Sequence, residues 1–148
     1  MDHTSTRPAH SHGHPYRTLL VMAILSFIAM TFLMYAMVDT FGNVYLNYNQ
    51  WYMAGLMTGP MVLIELTLMR KMYPKAIWNA AIATIAIIGM LMRWSFIRQQ
   101  TAITDKQFLQ SMIPHHAGAL LMCREATLTD PELKQLCESI HKSQQKEI

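Results

Sequence analysis

The chain has 148 residues, 52% of them apolar, and a formal net charge of +3, enough for one or two small domains. Its basic residues form no stripe interleaved with aromatics, which excludes the footprint of a nucleic-acid partner. No nucleophile–base–acid set, phosphate loop or zinc-finger spacing occurs, so no enzymatic role is expected.

In chain order, residues 1–17 form a polar leader carrying His3, His10, His12 and His14. A disordered segment is expected here. Its spaced histidines suit weak capture of Cu(II), Ni(II) or Zn(II), or else only a soluble tail.

A membrane domain is expected over residues 18–98. Thr18 to Val38 carries no charge over about the 20 residues needed to cross a bilayer. The run is too long for a cleaved signal peptide and leads into "DTFGN" without a small-x-small site, which reads as a retained anchor. Trp51 to Met69 is a second span, interrupted by Gly59-Pro60 and containing one acid, Glu65. Ala76 to Ile97 is a third. Tyr45, Tyr48, Trp51, Tyr52 and Trp94 fall where interfacial aromatics belong.

The flanks set the orientation. Arg7 and Arg17 precede the first span, and Arg70, Lys71 and Lys75 separate the second from the third. The stretch from Asp39 to Gln50 has neither Lys nor Arg. The positive-inside rule then puts the N-terminus in the cytoplasm and, after three spans, the C-terminal tail outside. The expected location is a bacterial inner membrane with a periplasmic tail.

Residues 104–148 read as a helical hairpin. Thr104-Asp105 starts a helix that runs to about Ala126, with a kink or break expected at Pro114. Thr129 or Asp130 supplies a cap, Pro131 a first-turn proline and Glu132 a dipole-compatible acid for a second helix running to the chain end. At about 100° per residue, Met112, His115, His116, Ala119, Met122 and Cys123 share an arc of roughly 120°. Leu133, Cys137, Ile140, His141, Gln144, Glu147 and Ile148 share a similar arc on the second helix.

Folding about Asp130 sets Cys123 opposite Cys137, Ala119 near His141, His116 near Gln144, and Met112 near Glu147 and Ile148. Gly118 and Ala119 are expected to let the two helices approach. For Met112, Met122, Leu133 and Ile140 the bland reading is hairpin core. Two imidazoles on a core face need partners, and thioether, thiolate and imidazole together suit Cu(I) or Ag(I). Cys123 and Cys137 are open to two roles, a disulfide in an oxidising compartment or a pair of thiolate ligands.

The run "FLQSMIPHHAGALLMC…DPELKQLCESIHKSQQKEI" resembles the bacterial "domain of unknown function 305" family in Met112, Pro114, His115, His116, Ala119, Met122, Gln144 and Glu147. The three-span front resembles a membrane-anchored branch of that family. The resemblance implies a ferritin-like helical half-bundle and periplasmic copper handling. Ala117 departs from a usual Gln, and Cys123 and Cys137 stand where small residues are expected. The family's helix usually continues past Glu147, whereas this sequence ends at Ile148.

The expected fold is therefore all-α, three transmembrane helices and an extramembrane hairpin. The expected function is Cu(I) binding, with Ag(I) as a second ion, for metal tolerance or delivery. The candidate ligands are Met112, His115, His116, Met122, Cys123, Cys137, His141 and Glu147. The partners are the lipid bilayer, the metal ion and a second copy of the chain. One rival is a metal channel along Met53, Met57, Met61 and Glu65. The other is a structural or regulatory membrane protein in which the His pair packs or senses pH. Glu138 and His141 have the spacing of a di-iron motif, but one copy does not make such a centre.

Overall fold

The computed structural model describes residues 14–147. His3, His10, His12 and Ile148 lie outside the described residues. Within them the chain is all-helical, with five α-helices and no strand: α1 Pro15–Leu33, α2 Tyr48–Leu68, α3 Ala76–Gln99, α4 Asp105–Glu125 and α5 Pro131–Gln144. Three helical stretches, Pro15–Met37, Tyr48–Leu68 and Ala76–Gln99, are long and apolar enough to cross a membrane.

α1 opens with Pro15 in its first turn, where a missing N–H costs nothing. It tightens into a 3₁₀ turn at Met34–Met37 before the chain reverses. Asp39 holds that reversal by accepting from Thr40 N–H at 2.7 Å and from Asn43 Nδ2 at 2.8 Å. α2 starts at Tyr48, earlier than the apolar run suggests, because Asn47 caps it by accepting from Gln50 N–H at 2.9 Å. The expected interruption at Gly59-Pro60 does not occur: α2 runs through both residues. Unwinding the helix there would leave several backbone polar groups unpaired among apolar side chains, which costs more than the one bond Pro60 removes.

α2 is the middle of a three-helix layer, with α1 and α3 each packed on it. Apolar side chains such as Leu25, Ile77, Ile85 and Leu91 point outward, a surface suited to lipid rather than water. The end of the layer remote from α4 is tied by a polar and aromatic knot. Tyr16 donates its hydroxyl to Asn79 Oδ1 at 2.9 Å, and Asn79 Nδ2 donates to Tyr73 O at 2.8 Å. Buried Tyr73 donates to Glu65 Oε1 at 3.3 Å. Burial, and next the Glu65 carboxylate, push the Tyr73 hydroxyl above its usual range, so it remains a donor. Glu65 is thus held near the end of α2, while Met53 and Met57 face outward half-exposed.

α4 and α5 form the hairpin. Thr104 caps α4 by accepting from Gln107 N–H, and Asp130 Oδ1 caps α5 by accepting from Glu132 and Leu133 N–H at 2.7 and 3.3 Å. α5 stops at Gln144 and turns, short of the chain end where the second helix is expected to finish. α4 has two sets of neighbours: α5 on one side, and α2 with the reversal after α1 on the other.

Candidate metal centre

The fold meets the motif "MIPHH" at Pro114, which sits inside α4 without breaking it. Proline has no N–H, so the carbonyl four residues earlier, Gln110 O, loses its helical donor. Asn47 supplies the replacement: its Nδ2 donates to Gln110 O at 3.2 Å and to Tyr45 O at 3.0 Å. The residue that caps α2 also caps the gap in α4. Tyr48 N–H donates to Gln107 Oε1 at 2.9 Å, and Tyr52 donates to Thr101 O at 3.0 Å. The expected break does not occur, and the gap is filled from outside the helix.

One turn on, α4 presses against the 3₁₀ turn that follows α1. A methyl group on Gly118 would come 3.3 Å from Met37 O. Gly118 therefore lets α4 approach the 3₁₀ turn after α1, not α5 as expected from the hairpin alone. Ala117 and Leu120 are buried in the same region.

This second contact separates the two histidines. Consecutive helical residues point about 100° apart; His116 is 8% exposed, whereas His115 faces solvent. Their ring centroids are 5.9 Å apart. His116 Nδ1 lies 2.9 Å from Glu147 Oε2. The two atoms are at ion-pair distance but not aligned as a hydrogen bond, so Nδ1 stays buried without a hydrogen-bond partner, as does Gln144 Oε1 nearby in sequence. Glu147 is therefore placed against His116, where sequence spacing put it beside Met112.

Cys123 and Cys137 form a disulfide, with Cα atoms 5.4 Å apart. The bonded pair offers no thiolate. His141 is exposed and lines a shallow depression with Cys123, Cys137 and Lys134, beside the disulfide. Met122 and Leu133, expected in the hairpin core, are 53% and 48% exposed. For Met122 the physical reason is that α4, clamped on two sides, turns part of its apolar stripe toward the second neighbour; α5, which carries Leu133 and His141, packs on α4 and leaves its other faces to solvent. Met112 is half-buried one helical turn before His116.

Of the eight expected ligands, only His116 and Glu147 are found in direct contact; Cys123 and Cys137 bond to each other. Among the described residues no three His, Cys, Asp or Glu side chains converge as a metal-holding group. Met is a further donor type: Met112 stands one helical turn before His116 in α4, so the donors to weigh are one imidazole, one thioether and the Glu147 carboxylate. That set fits a soft ion needing few ligands and fits poorly a hard ion that demands a cage of oxygens. The residue that sequence reasoning missed is Asn47. Its signal was present in "YLNYNQ", an Asn at a helix start, but only the three-dimensional fold pairs it with Pro114.

Comparison with known proteins adds a family and one relative. The family described as "Domain of unknown function (DUF305)" matches residues 86–148. An uncharacterized protein of Acanthamoeba polyphaga mimivirus is 38% identical over 135 residues, covering 88% of this chain and 86% of that one. No solved structure matches.

Proposed function

The chain belongs to the domain of unknown function 305 family, and from that premise we propose that it is a membrane-anchored Cu(I)-binding protein, able also to take Ag(I), serving metal tolerance or delivery. The observation that carries the reading is His116: a buried imidazole with Glu147 against one ring nitrogen and Met112 a turn away. Metal-ligating histidines usually donate the N–H of the nitrogen that does not bind to a carboxylate or carbonyl; the Glu147 carboxylate stands 2.9 Å from Nδ1, though not aligned as that bond. His116 and Met112 would hold the ion, and Glu147 would orient the ring. His115, exposed beside them, is the entry ligand. The ion itself supplies soft-acid affinity for thioether and imidazole.

The same reading places the hairpin on the side of the membrane away from the cytoplasm, the periplasm in a bacterium. The hairpin packs against the reversal after α1, and the Asp39 to Gln50 stretch has no Lys or Arg. Phe108, Leu109, Met122, Leu133 and Leu136 remain exposed on the hairpin, and a second copy covering them would complete a four-helix bundle.

The test is a competition titration of the full chain with Cu(I), comparing the parent with His116→Ala and Met112→Leu. Loss of tight binding in the first and weakening in the second support the reading. Unchanged binding in both removes it.

A further inference from the structure

α1 and α3 each pack on α2 and leave between them a groove of about 400 Å³, within the range of small-molecule sites. Its walls are apolar, with Leu20, Ile24 and Phe27 on one side and Ile85 on the other, and Arg93 sits in the lining. Arg93 lies across Gly55, where a methyl group would collide with the side chain. Its Nη1 donates to Gly89 O at 3.2 Å, back along α3 and into the layer.

A guanidinium has five N–H donors and keeps its charge. Among the described residues no carboxylate lies within ion-pair distance of Arg93. A charge within a span is costly and ordinarily has a partner or access to water. Neither α1 nor α3 contains an acid, and the one acid of α2, Glu65, is at the opposite end and accepts from Tyr73. A second copy docking its spans into the groove could therefore bring no acid to the depth of Arg93. The missing charge has to come with a ligand.

The groove also has a length. From Tyr16 to Phe27 it follows 11 residues of α1, about 16 Å at 1.5 Å per residue. Phe27 is about midway along Pro15–Met37, so this stretch is the half remote from the hairpin, and Arg93 lies beyond it on the hairpin side. The Tyr16 hydroxyl on Asn79 ties the far end.

Taking the three long helices as membrane spans, we infer that the groove seats an acyl chain of an anionic phospholipid, with its phosphate paired to Arg93 toward the hairpin side and its tail running past the middle of the layer toward Tyr16. The apolar walls hold the tail, and Arg93 selects the head. This site is separate from the metal centre and stands without it.

The full chain, extracted in mild detergent from liposomes of equal phosphatidylglycerol and phosphatidylcholine, is examined by native mass spectrometry. The expected result is one retained phosphatidylglycerol per chain, at least tenfold over phosphatidylcholine. Arg93→Gln should remove the preference, and Ala23→Phe, which fills the groove, should remove retention. Arg98→Gln, outside the groove, should change neither. No preference in the parent overturns the proposal whatever the variants do. A preference unchanged in Arg93→Gln also overturns it, as does cross-linking of two copies through residues facing the groove.

Discussion

Pro114 shows how a residue that ought to damage a helix comes to position one. Its missing N–H leaves Gln110 O to be satisfied by Asn47, and this bond fastens the segment just before the histidines to the start of α2. Leaving a buried acceptor unpaired costs about 1–3 kcal/mol, so Asn47→Ala should destabilise by that order and loosen α4 in hydrogen exchange. Pro114→Ala restores the N–H and should recover part of the loss in the double variant. Simple additivity of the two changes would show that the bond does not couple them. Glu147 gives a second expectation at this scale. If it orients His116 without being the principal ligand, Glu147→Gln should weaken Cu(I) binding by about 10–100-fold, measured by chelator competition. His115, His116 and Met112 were legible as candidates because soft donors so close together on one helix are chemically unusual. The partner of Pro114 was not legible, since Asn47 is 63 positions away from Gln110 in sequence.

Among the elements, α5 has the fewest ties: it packs on α4 and is stapled to it by Cys123–Cys137. Closing a loop of this size contributes about 3 kcal/mol in the chain-entropy model. Reduction, or Cys137→Ser, should therefore free α5 and move Glu147 away from His116. Limited proteolysis should then cut near Thr127–Thr129, a site resistant in the oxidised protein. The turn after α3 carries a different stress. Gln100 and Ala102 have φ of 51° and 60°, the left-handed region that disfavours side chains by about 1–2 kcal/mol. Gln100 is held there by bonds to Ile97 O and Asn49; for Ala102 there is no such compensation among its side-chain atoms. Ala102→Gly should raise the melting temperature, and a fall would argue against the strain. Hydropathy made the three long helices readable, and cap chemistry made α4 and α5 readable. The facing of α4 was not readable, because its periodicity records one apolar stripe while the fold divides that stripe between α5 and Met37.

For the molecule as a whole, the arrangement is a three-helix layer with a hairpin docked on the side of its first reversal. Reporter fusions should behave as non-cytoplasmic after Glu147 and as cytoplasmic near Lys71, following the distribution of Lys and Arg. The reverse pattern would put the hairpin in the cytoplasm, where its disulfide would not be maintained. The central claim, that His116 and its neighbours hold a soft metal ion, is tested most directly by one titration. The full chain receives Cu(I) against a competing chelator, with ascorbate keeping copper reduced while the disulfide stays intact. The expected result is one tightly held Cu(I) per chain in the parent and none in the variant combining His115→Ala with His116→Ala. Equal stoichiometry and affinity in parent and variant would contradict the account.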